Sequence, residues 1–225
     1  MRFYLTDTER DWNYRHHHIM WHSEKRLILF LTPKAGNSSL KKSILEGMGF
    51  GLEHEYPAGF TFISPKNAFY IRSTQPETVS VCFIRNPVNR LVSCWKNKIR
   101  DSKQIELTNW SYPFYGGMPL IEFVQTVIGT PQESINMHAR SVSYETSYSG
   151  HTITDHWFCI EQLKTQNEWK GFCEFMERFG IHPTELERLN TTSPEEFDRD
   201  EISDLINRNV WLKKDVTLYD SLRCK

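Results

Sequence analysis

The chain has 225 residues and a mass of 26.7 kDa, with 39% hydrophobic, 13% aromatic and 24% charged residues. This composition excludes intrinsic disorder, a collagen-like fibre and a disulfide-dense miniprotein, and the length suits a single domain over residues 1–225. The 27 basic and 28 acidic residues give a net charge of −1, which is not typical of a nucleic-acid-binding protein, so any anion must bind at a local basic site.

The N-terminal residues, the apolar runs and the cysteines predict where in the cell the protein is found. The first eleven residues are polar and lack the apolar core of a signal peptide, and the most apolar run, residues 27–31, is too short to cross a bilayer. The five cysteines form an odd set without a Cys-X-X-Cys pair, which is typical of free thiols in a reducing compartment. We therefore expect a soluble, cytoplasmic protein without stable membrane insertion.

The first half of the chain predicts two strand–turn–helix units. Residues 25–32 are basic, then continuously apolar, then polar, and are followed by a break and by a helical pattern over residues 38–48. Residues 79–84 form a second apolar strand that leads into a helix over residues 87–98, with Pro87 at its first position. The repeated order favours an α/β fold, with a P-loop-like, three-layer arrangement of a central parallel sheet flanked by helices.

The second half of the chain predicts a surface loop, one further strand and an α-rich C-terminus. Thr165 and Glu168 form a capping box, Gly180 ends the helix that follows it, and Ser193 precedes another helix start. In chain order the predicted elements are a loop over residues 101–118, a helix over 119–128, a strand over 156–160, a helix reaching residue 179 and a helix over 200–222.

The turn after the first predicted strand has the composition of an anion-binding site. A turn between a buried strand and a helix presents backbone N–H groups and the positive end of the helix dipole. Lys34 supplies a mobile charge there, and the pattern differs from the Gly-rich Walker A loop. The residues that we expect to hold a phosphate or sulfate are Lys34, Ala35, Gly36, Asn37, Ser38 and Ser39.

A second anion-binding element follows the second predicted strand. Arg85 lies at the end of that strand, and Ser93 lies about two turns into the next helix. An arginine grips a phosphate with two parallel hydrogen bonds and a serine adds one more. The two side chains are therefore expected to converge on a further phosphate.

The two elements together resemble the 3′-phosphoadenosine 5′-phosphosulfate (PAPS)-dependent sulfotransferases, especially the carbohydrate-modifying branch. Residues 33–39 are similar to the family's 5′-phosphosulfate loop, from which Asn37 departs, and residues 85–93 match its 3′-phosphate element at each defined position. Residues 159–163 are similar to a later strand and Glu-X-Leu turn of the family. The resemblance implies transfer of a sulfuryl group from PAPS to a hydroxyl, with adenosine 3′,5′-bisphosphate (PAP) as the second product.

The resemblance also implies roles for individual residues. Lys34 would stabilise the leaving oxygen, residues 36–39 would hold the 5′-phosphate, and Arg85 with Ser93 would hold the 3′-phosphate. The candidates for the general base are His54, Glu55 and His138, of which His54 is preferred because imidazole titrates near neutral pH. The scheme requires no metal, and no cysteine or acidic residue stands at ligand spacing from the histidines at 16–18 and 22.

Several alternatives stay open at this point. Arg140 is a candidate contact for an anionic glycan or a structural residue, and the aromatic residues of the 101–118 loop are candidate acceptor contacts. The expected acceptor is a hydroxylated compound, and the carbohydrate branch favours a glycan. A nucleotide-dependent kinase is a second possible function, because βα phosphate loops occur in many nucleotide-binding folds. A non-catalytic nucleotide-binding module is a third.

Overall fold

The structure, a computed structural model, describes residues 18–50, 59–101, 113–186 and 197–223. The strands in these ranges are Ile19–His22 (β1), Leu27–Phe30 (β2), Phe60–Phe62 (β3), Val79–Ile84 (β4), Ser147–Tyr148 (β5), His151–Thr152 (β6) and His156–Cys159 (β7). Five of them form one sheet in the order β3-β1-β2-β4-β7, and β5 pairs with β6 in a separate hairpin.

The described residues also contain eight α-helices. None of them is both long enough and apolar enough to span a membrane. The helices are Asn37–Glu46 (α1), Pro65–Thr74 (α2), Pro87–Trp95 (α3), Leu120–Gly129 (α4), Val142–Glu145 (α5), Gln166–Glu177 (α6), Arg199–Ile206 (α7) and Val210–Arg223 (α8). A π-helical turn, Lys96–Arg100, continues α3.

The three strands predicted from their apolar runs form the parallel part of the sheet. Strand β2 pairs in parallel with β4, with Phe30 opposite Cys82, and β4 pairs in parallel with β7, with Ile84 opposite Cys159. Every residue of β2 is buried, as expected for a strand that is covered on both faces. Because β2 and β4 run in the same direction, their carboxyl ends and the turns that follow lie at the same edge.

The predicted central parallel sheet is confirmed for β2, β4 and β7, but β1 and β3 join it through antiparallel pairs. β1 pairs antiparallel with both β2 and β3, so the sheet is mixed. Residues 23–26 connect β1 to β2, and such a short connection can only reverse the chain, because a parallel pair needs a crossover of about a dozen residues or more. The sequence analysis missed both strands, since each is short and neither is a continuous apolar run.

Helices cover both faces of the sheet. On one face, Leu29 and Phe83 share a hydrophobic cluster with Leu40 of α1 and Phe172 of α6. On the opposite face, the alternate strand residues Phe30 and Cys82 pack in a second cluster with helices α2 and α5, through Ala68, Ile71 and Val142. The alternation of side chains along each strand thus divides the core into two layers around the sheet.

Helix α2 was also missed, although local signals mark its start. The hydroxyl of Ser64 accepts a hydrogen bond from the backbone N–H of Asn67 at 3.0 Å, and Pro65 occupies the first helical position. Only Ala68 and Ile71 of this helix are buried, so its apolar periodicity is too weak to reveal it. The helix is instead stabilised by the packing of Ala68 and Ile71 against the sheet.

The α-rich C-terminus contains two helices where the sequence predicted one. α7 ends at Ile206, and the side chain of Asn209 starts α8 by accepting hydrogen bonds from the backbone N–H groups of Trp211 at 3.0 Å and Leu212 at 3.1 Å. A third hydrophobic cluster joins both helices to α3 and α4. The helix start predicted near Ser193 lies outside the described residues.

Candidate active site

The turn between β2 and α1 has a backbone conformation that favours glycine at position 36. Lys34 and Gly36 both have positive φ angles, 65° and 73°. A Cβ atom added to Gly36 would lie 3.2 Å from Cδ1 of Ile160, so a larger residue would meet both strain and crowding. The buried Ala35 donates its N–H to the carbonyl of Thr32 at 3.1 Å, which closes the turn.

The amino end of α1 is suited to an anion. Among the described residues, no side chain caps this end of the ten-residue helix, and its first turn, Asn37, Ser38 and Ser39, contains no acidic residue. The first N–H groups of a helix lack intrahelical acceptors and carry the positive end of the helix dipole. A phosphate or sulfate at this end would supply the missing acceptors.

Arg85 lies beside this turn, as the parallel pairing of β2 and β4 requires. Its Nη1 atom donates a hydrogen bond to the carbonyl oxygen of Lys34 at 3.1 Å. Burial lowers the pKa of the Arg85 guanidinium, whereas the nearby Glu161 acts in the opposite direction. Two residues that are far apart in the sequence, Lys34 and Arg85, are thus in direct contact at the edge of the sheet.

Glu161, which follows β7, supports the Arg85 segment. One carboxylate oxygen accepts the N–H of Asn86 at 3.2 Å and lies 3.8 Å from Nε of Arg85. The other oxygen accepts a hydrogen bond from the thiol of Cys159 at 3.3 Å. The sequence analysis noted the Glu-X-Leu turn at this position but assigned no contact to its carboxylate.

Ser93 belongs to the same strand–helix unit as Arg85. Asn86 caps the start of α3 by accepting the N–H of Asn89 at 3.0 Å, and Pro87 is the first helical residue. Ser93 lies two turns into this helix and is only 8% exposed. The helix start predicted at Pro87 is confirmed, and the predicted end at residue 98 lies within the π-helical turn that continues the helix.

Arg90, which the sequence analysis quoted only as part of a pattern, joins two loops. Its side chain is 1% exposed. The Nε atom donates to the carbonyl of Pro33 at 3.2 Å, and Nη2 donates to the carbonyl of Arg140. One buried guanidinium therefore connects the turn that contains Lys34 to the loop that contains His138.

His138 lies in a cationic environment. Its Nδ1 atom is 2.7 Å from Oδ1 of Asn136. Burial, followed by the positive charges of Lys98, Lys34, Arg90 and His18, lowers the pKa of His138 to about 3. The other two candidate bases, His54 and Glu55, lie outside the described residues.

Lys98, at the π-helical turn, is a further cation that the sequence analysis missed. Burial is the main influence that lowers the pKa of Lys34; Cys94 raises it, and the charges of Lys98 and Arg85 lower it further. Lys98 thus acts electrostatically on both Lys34 and His138. A π-helical turn is rare and frequently occurs at functional sites, but this one is seen only in the structure, so the sequence contained no signal for Lys98.

The side chain of Arg140 forms hydrogen bonds with other groups of the protein. Its guanidinium donates to the carbonyl of Ile135 and, at 2.6 Å, to the carboxylate of Glu145. Glu145 in turn lies 3.1 Å from Nε2 of His18, and both are buried. These contacts favour the structural role that the sequence analysis left open for Arg140.

The aromatic candidates of the long loop have different positions. Phe114 packs in the core against Phe123, with ring centroids 5.9 Å apart. Tyr115 is 45% exposed, and its hydroxyl donates to Glu122 at 2.8 Å, whereas Trp110 and Tyr112 lie outside the described residues. Of the two members that the structure describes, Tyr115 is the accessible one.

The cysteines and acidic residues form no evident metal centre. Within the described ranges, no three His, Cys, Asp or Glu side chains are grouped so that they could hold a metal ion. The described cysteines, Cys82, Cys94, Cys159 and Cys173, are free thiols. Burial raises the pKa of both Cys82 and Cys94 to about 12, so neither forms a thiolate near neutral pH.

Comparison with known proteins identifies the family of the chain. The sequence profile described as the sulfotransferase family matches residues 17–214, a range that contains the turn of Lys34, the Arg85 segment and the His138 loop. No curated protein and no solved structure gives a significant match. Because the profile covers most of the chain, the protein belongs to the sulfotransferase family.

Proposed function

We propose that the protein transfers the sulfuryl group of PAPS to a hydroxyl of a carbohydrate acceptor. The observation that carries this proposal is the contact between Arg85 and the carbonyl of Lys34 at 3.1 Å. It joins the two sequence elements that resemble the donor-binding elements of the family. A doubly phosphorylated donor needs two such anion sites side by side.

The described residues fit the charges of this donor. The amino end of α1, which begins at Asn37, would hold the 5′-phosphate through its N–H groups and the hydroxyls of Ser38 and Ser39. The Arg85 guanidinium and the Ser93 hydroxyl would hold the 3′-phosphate. The contact between Arg85 and the turn of Lys34 supports these assignments.

The reaction would proceed by in-line displacement at sulfur. The acceptor oxygen forms a bond to sulfur while the bond from sulfur to the bridging oxygen breaks, and the electron pair stays on the phosphate of the PAP product. Lys34 would stabilise the charge that develops on this oxygen. The hydroxyl proton would pass to a general base within hydrogen-bond reach.

Of the three candidate bases, His138 is the one that lies in the part of the chain that the structure describes. The charge of Lys34 acts on it, and Arg90 connects their two loops. His54 and Glu55 stay candidates from the sequence alone. Separate alanine variants of the three residues, assayed for sulfuryl transfer, would identify the base as the one whose loss abolishes turnover while PAP still binds.

A binding experiment tests the donor class. PAP, ATP and AMP are each added to the purified protein, and the thermal unfolding midpoint is measured. A ligand that binds only the folded state raises this midpoint, so we expect a selective increase with PAP. An increase that is selective for ATP would favour a kinase, and no selective increase with PAP would overturn the proposal.

A transfer experiment tests catalysis and the acceptor class. The protein is incubated with PAPS labelled in its sulfuryl group and with a panel of glycans, phenols, alcohols and peptides that contain tyrosine. We expect the label to appear on glycans, as the resemblance to the carbohydrate branch implies. Binding of PAP without transfer to any acceptor would favour a non-catalytic module.

A further inference from the structure

The hydrogen bonds of Asn136 define the tautomer of His138. The Oδ1 atom of Asn136 lies 3.0 Å from the backbone nitrogen of His138 and 2.7 Å from its Nδ1 atom. A backbone nitrogen can only donate, so the atom that it faces must be the amide oxygen, which only accepts. It follows that Nδ1 carries a proton and donates it to Asn136.

The lone pair of the neutral ring is consequently at Nε2. In the free protein, burial and the charges of Lys98, Lys34, Arg90 and His18 lower the pKa of His138 to about 3, which keeps the ring neutral at ordinary pH. The phosphates of a bound donor would offset these charges and raise the pKa toward the range of an effective general base. A neutral imidazole has one donor and one acceptor nitrogen. With Nδ1 as the donor, Nε2 is the atom that can accept a proton.

Further bonds hold the loop of this pair in place. The carbonyl of Asn136 accepts the N–H groups of Ala139 at 2.9 Å and Arg140 at 3.1 Å. The carbonyl of Arg140 accepts a bond from the buried Arg90, which also binds Pro33 beside Lys34. The orientation of the imidazole is therefore set relative to the turn of Lys34.

We propose that Asn136 is a positioning residue, which holds His138 as the Nδ1–H tautomer so that Nε2 receives the proton of the acceptor hydroxyl. This inference rests on the proposed function. As the acceptor oxygen bonds to sulfur and the bridging sulfur–oxygen bond breaks, the hydroxyl proton moves to Nε2 and is later released to solvent. A base oriented by a second polar group is a recurrent arrangement in enzymes.

The tautomer can be measured directly. In the full-length protein labelled with ¹⁵N, long-range proton–nitrogen NMR correlations distinguish a protonated ring nitrogen from an unprotonated one. We expect His138 to show a protonated Nδ1 and an unprotonated Nε2, and Asn136→Ala to lose this preference. A wild-type protein with the proton on Nε2 would overturn the inference.

Kinetic measurements test the functional consequence. Asn136→Ala should lower kcat by about 10- to 100-fold, the size of effect known for groups that orient metal-ligating histidines, with PAP affinity unchanged. Asn136→Asp, which still accepts both bonds, should keep the tautomer and recover activity. Its negative charge would raise the pKa of His138 and move the acid limb of the pH–rate profile to higher pH.

Asn209 provides a matched control. Like Asn136, it accepts the N–H of the residue two positions later, here Trp211 at 3.0 Å, through its Oδ1 atom. Asn209 caps α8, however, and contacts no histidine in the described structure. Asn209→Ala should leave the His138 tautomer and kcat unchanged. An equal loss of kcat in both variants would mean that Asn136 acts only through stability, and would overturn the inference.

The outcomes separate this inference from the proposed function. If the wild-type protein transfers no sulfuryl group, the proposed function and the role of His138 as base both fail. If transfer occurs but Asn136→Ala keeps both the tautomer and kcat, the role of Asn136 alone fails. Should Asn136→Ala not fold, the wild-type spectrum and the pH–rate profile of Asn136→Asp still decide the question.

Discussion

The Nε atom of Arg90 donates a hydrogen bond to the carbonyl oxygen of Pro33 at 3.2 Å inside the protein. The same guanidinium binds the carbonyl of Arg140, so one side chain joins the turn before α1 to the loop before α5. An arginine can do this because its planar group presents several donors in fixed directions. The two loops contain Lys34 and His138, whose relative position is therefore tied to Arg90.

Replacement of Arg90 should reduce both stability and turnover. In Arg90→Met two carbonyl oxygens lose a charged donor in a buried site, and we expect the free energy of unfolding to fall by about 3 kcal/mol. Arg90→Lys should fold better but satisfy fewer acceptors, with kcat reduced more than PAP affinity. Denaturant unfolding and the transfer assay measure these effects.

Arg199 supplies a control for that prediction. It is exposed and donates to Asn89 at 2.6 Å, and Arg199→Met should change the free energy of unfolding by less than about 0.5 kcal/mol. A similar loss in both arginine variants would contradict the bridging role of Arg90.

Lys34→Ala should remove most catalysis while the donor site keeps its affinity. Loss of one group that stabilises developing charge typically lowers kcat by about 10²- to 10³-fold. The N–H groups of α1 and Arg85 stay in place, so most of the affinity for PAP should remain, as measured by calorimetry. Lys170, an exposed lysine near Glu174 on α6, provides the control variant Lys170→Ala. An equal loss of kcat in this variant would refute the role assigned to Lys34.

Arg85→Ala should weaken binding in a way that depends on the 3′-phosphate. Charge-assisted hydrogen bonds contribute about 1.5–3 kcal/mol, so PAP affinity should fall about 10- to 100-fold. AMP, which lacks the 3′-phosphate, should lose much less affinity. Equal losses for PAP and AMP would contradict the assignment, and Arg178→Ala, at an exposed arginine over Phe175, should affect neither ligand.

PAP binding should raise the pKa of His138. In the free protein, burial and the charges of Lys98, Lys34, Arg90 and His18 hold this pKa at about 3, below the ordinary 6.5. Phosphate groups beside Lys34 would offset the cations and favour the protonated ring. Between the two pKa values binding therefore takes up a proton, and PAP affinity should increase as the pH falls.

An NMR titration of the His138 ring, with and without PAP, checks this pKa prediction. The ring signal of His182, which is exposed beside Glu177, serves as an internal control that should not respond to PAP. A His138 pKa that is unchanged or lower in the complex would contradict the expected electrostatic coupling between the donor and His138.

Local patterns were sufficient for the two strand–turn–helix units. The strand that ends at Ile84 has the predicted bounds, and the helix that starts at Pro87 begins where proline and the Asn86 cap favour it. Apolar runs, turn residues and caps act between neighbours in the chain, so the sequence reveals them. The short β1 and β3 were missed because four and three residues carry too little periodicity.

The sequence by itself determined the parallel centre of the sheet, the turn that presents Lys34, and the family to which the chain belongs. Only the tertiary structure decided the antiparallel pairing of β1 with β2 and β3, the Glu161 contact with Asn86, and the Arg90 link between the Lys34 and His138 loops. The physical reason is distance along the chain. Arg90 contacts residues 57 and 50 positions away, and such contacts form only when the packed core brings distant segments together.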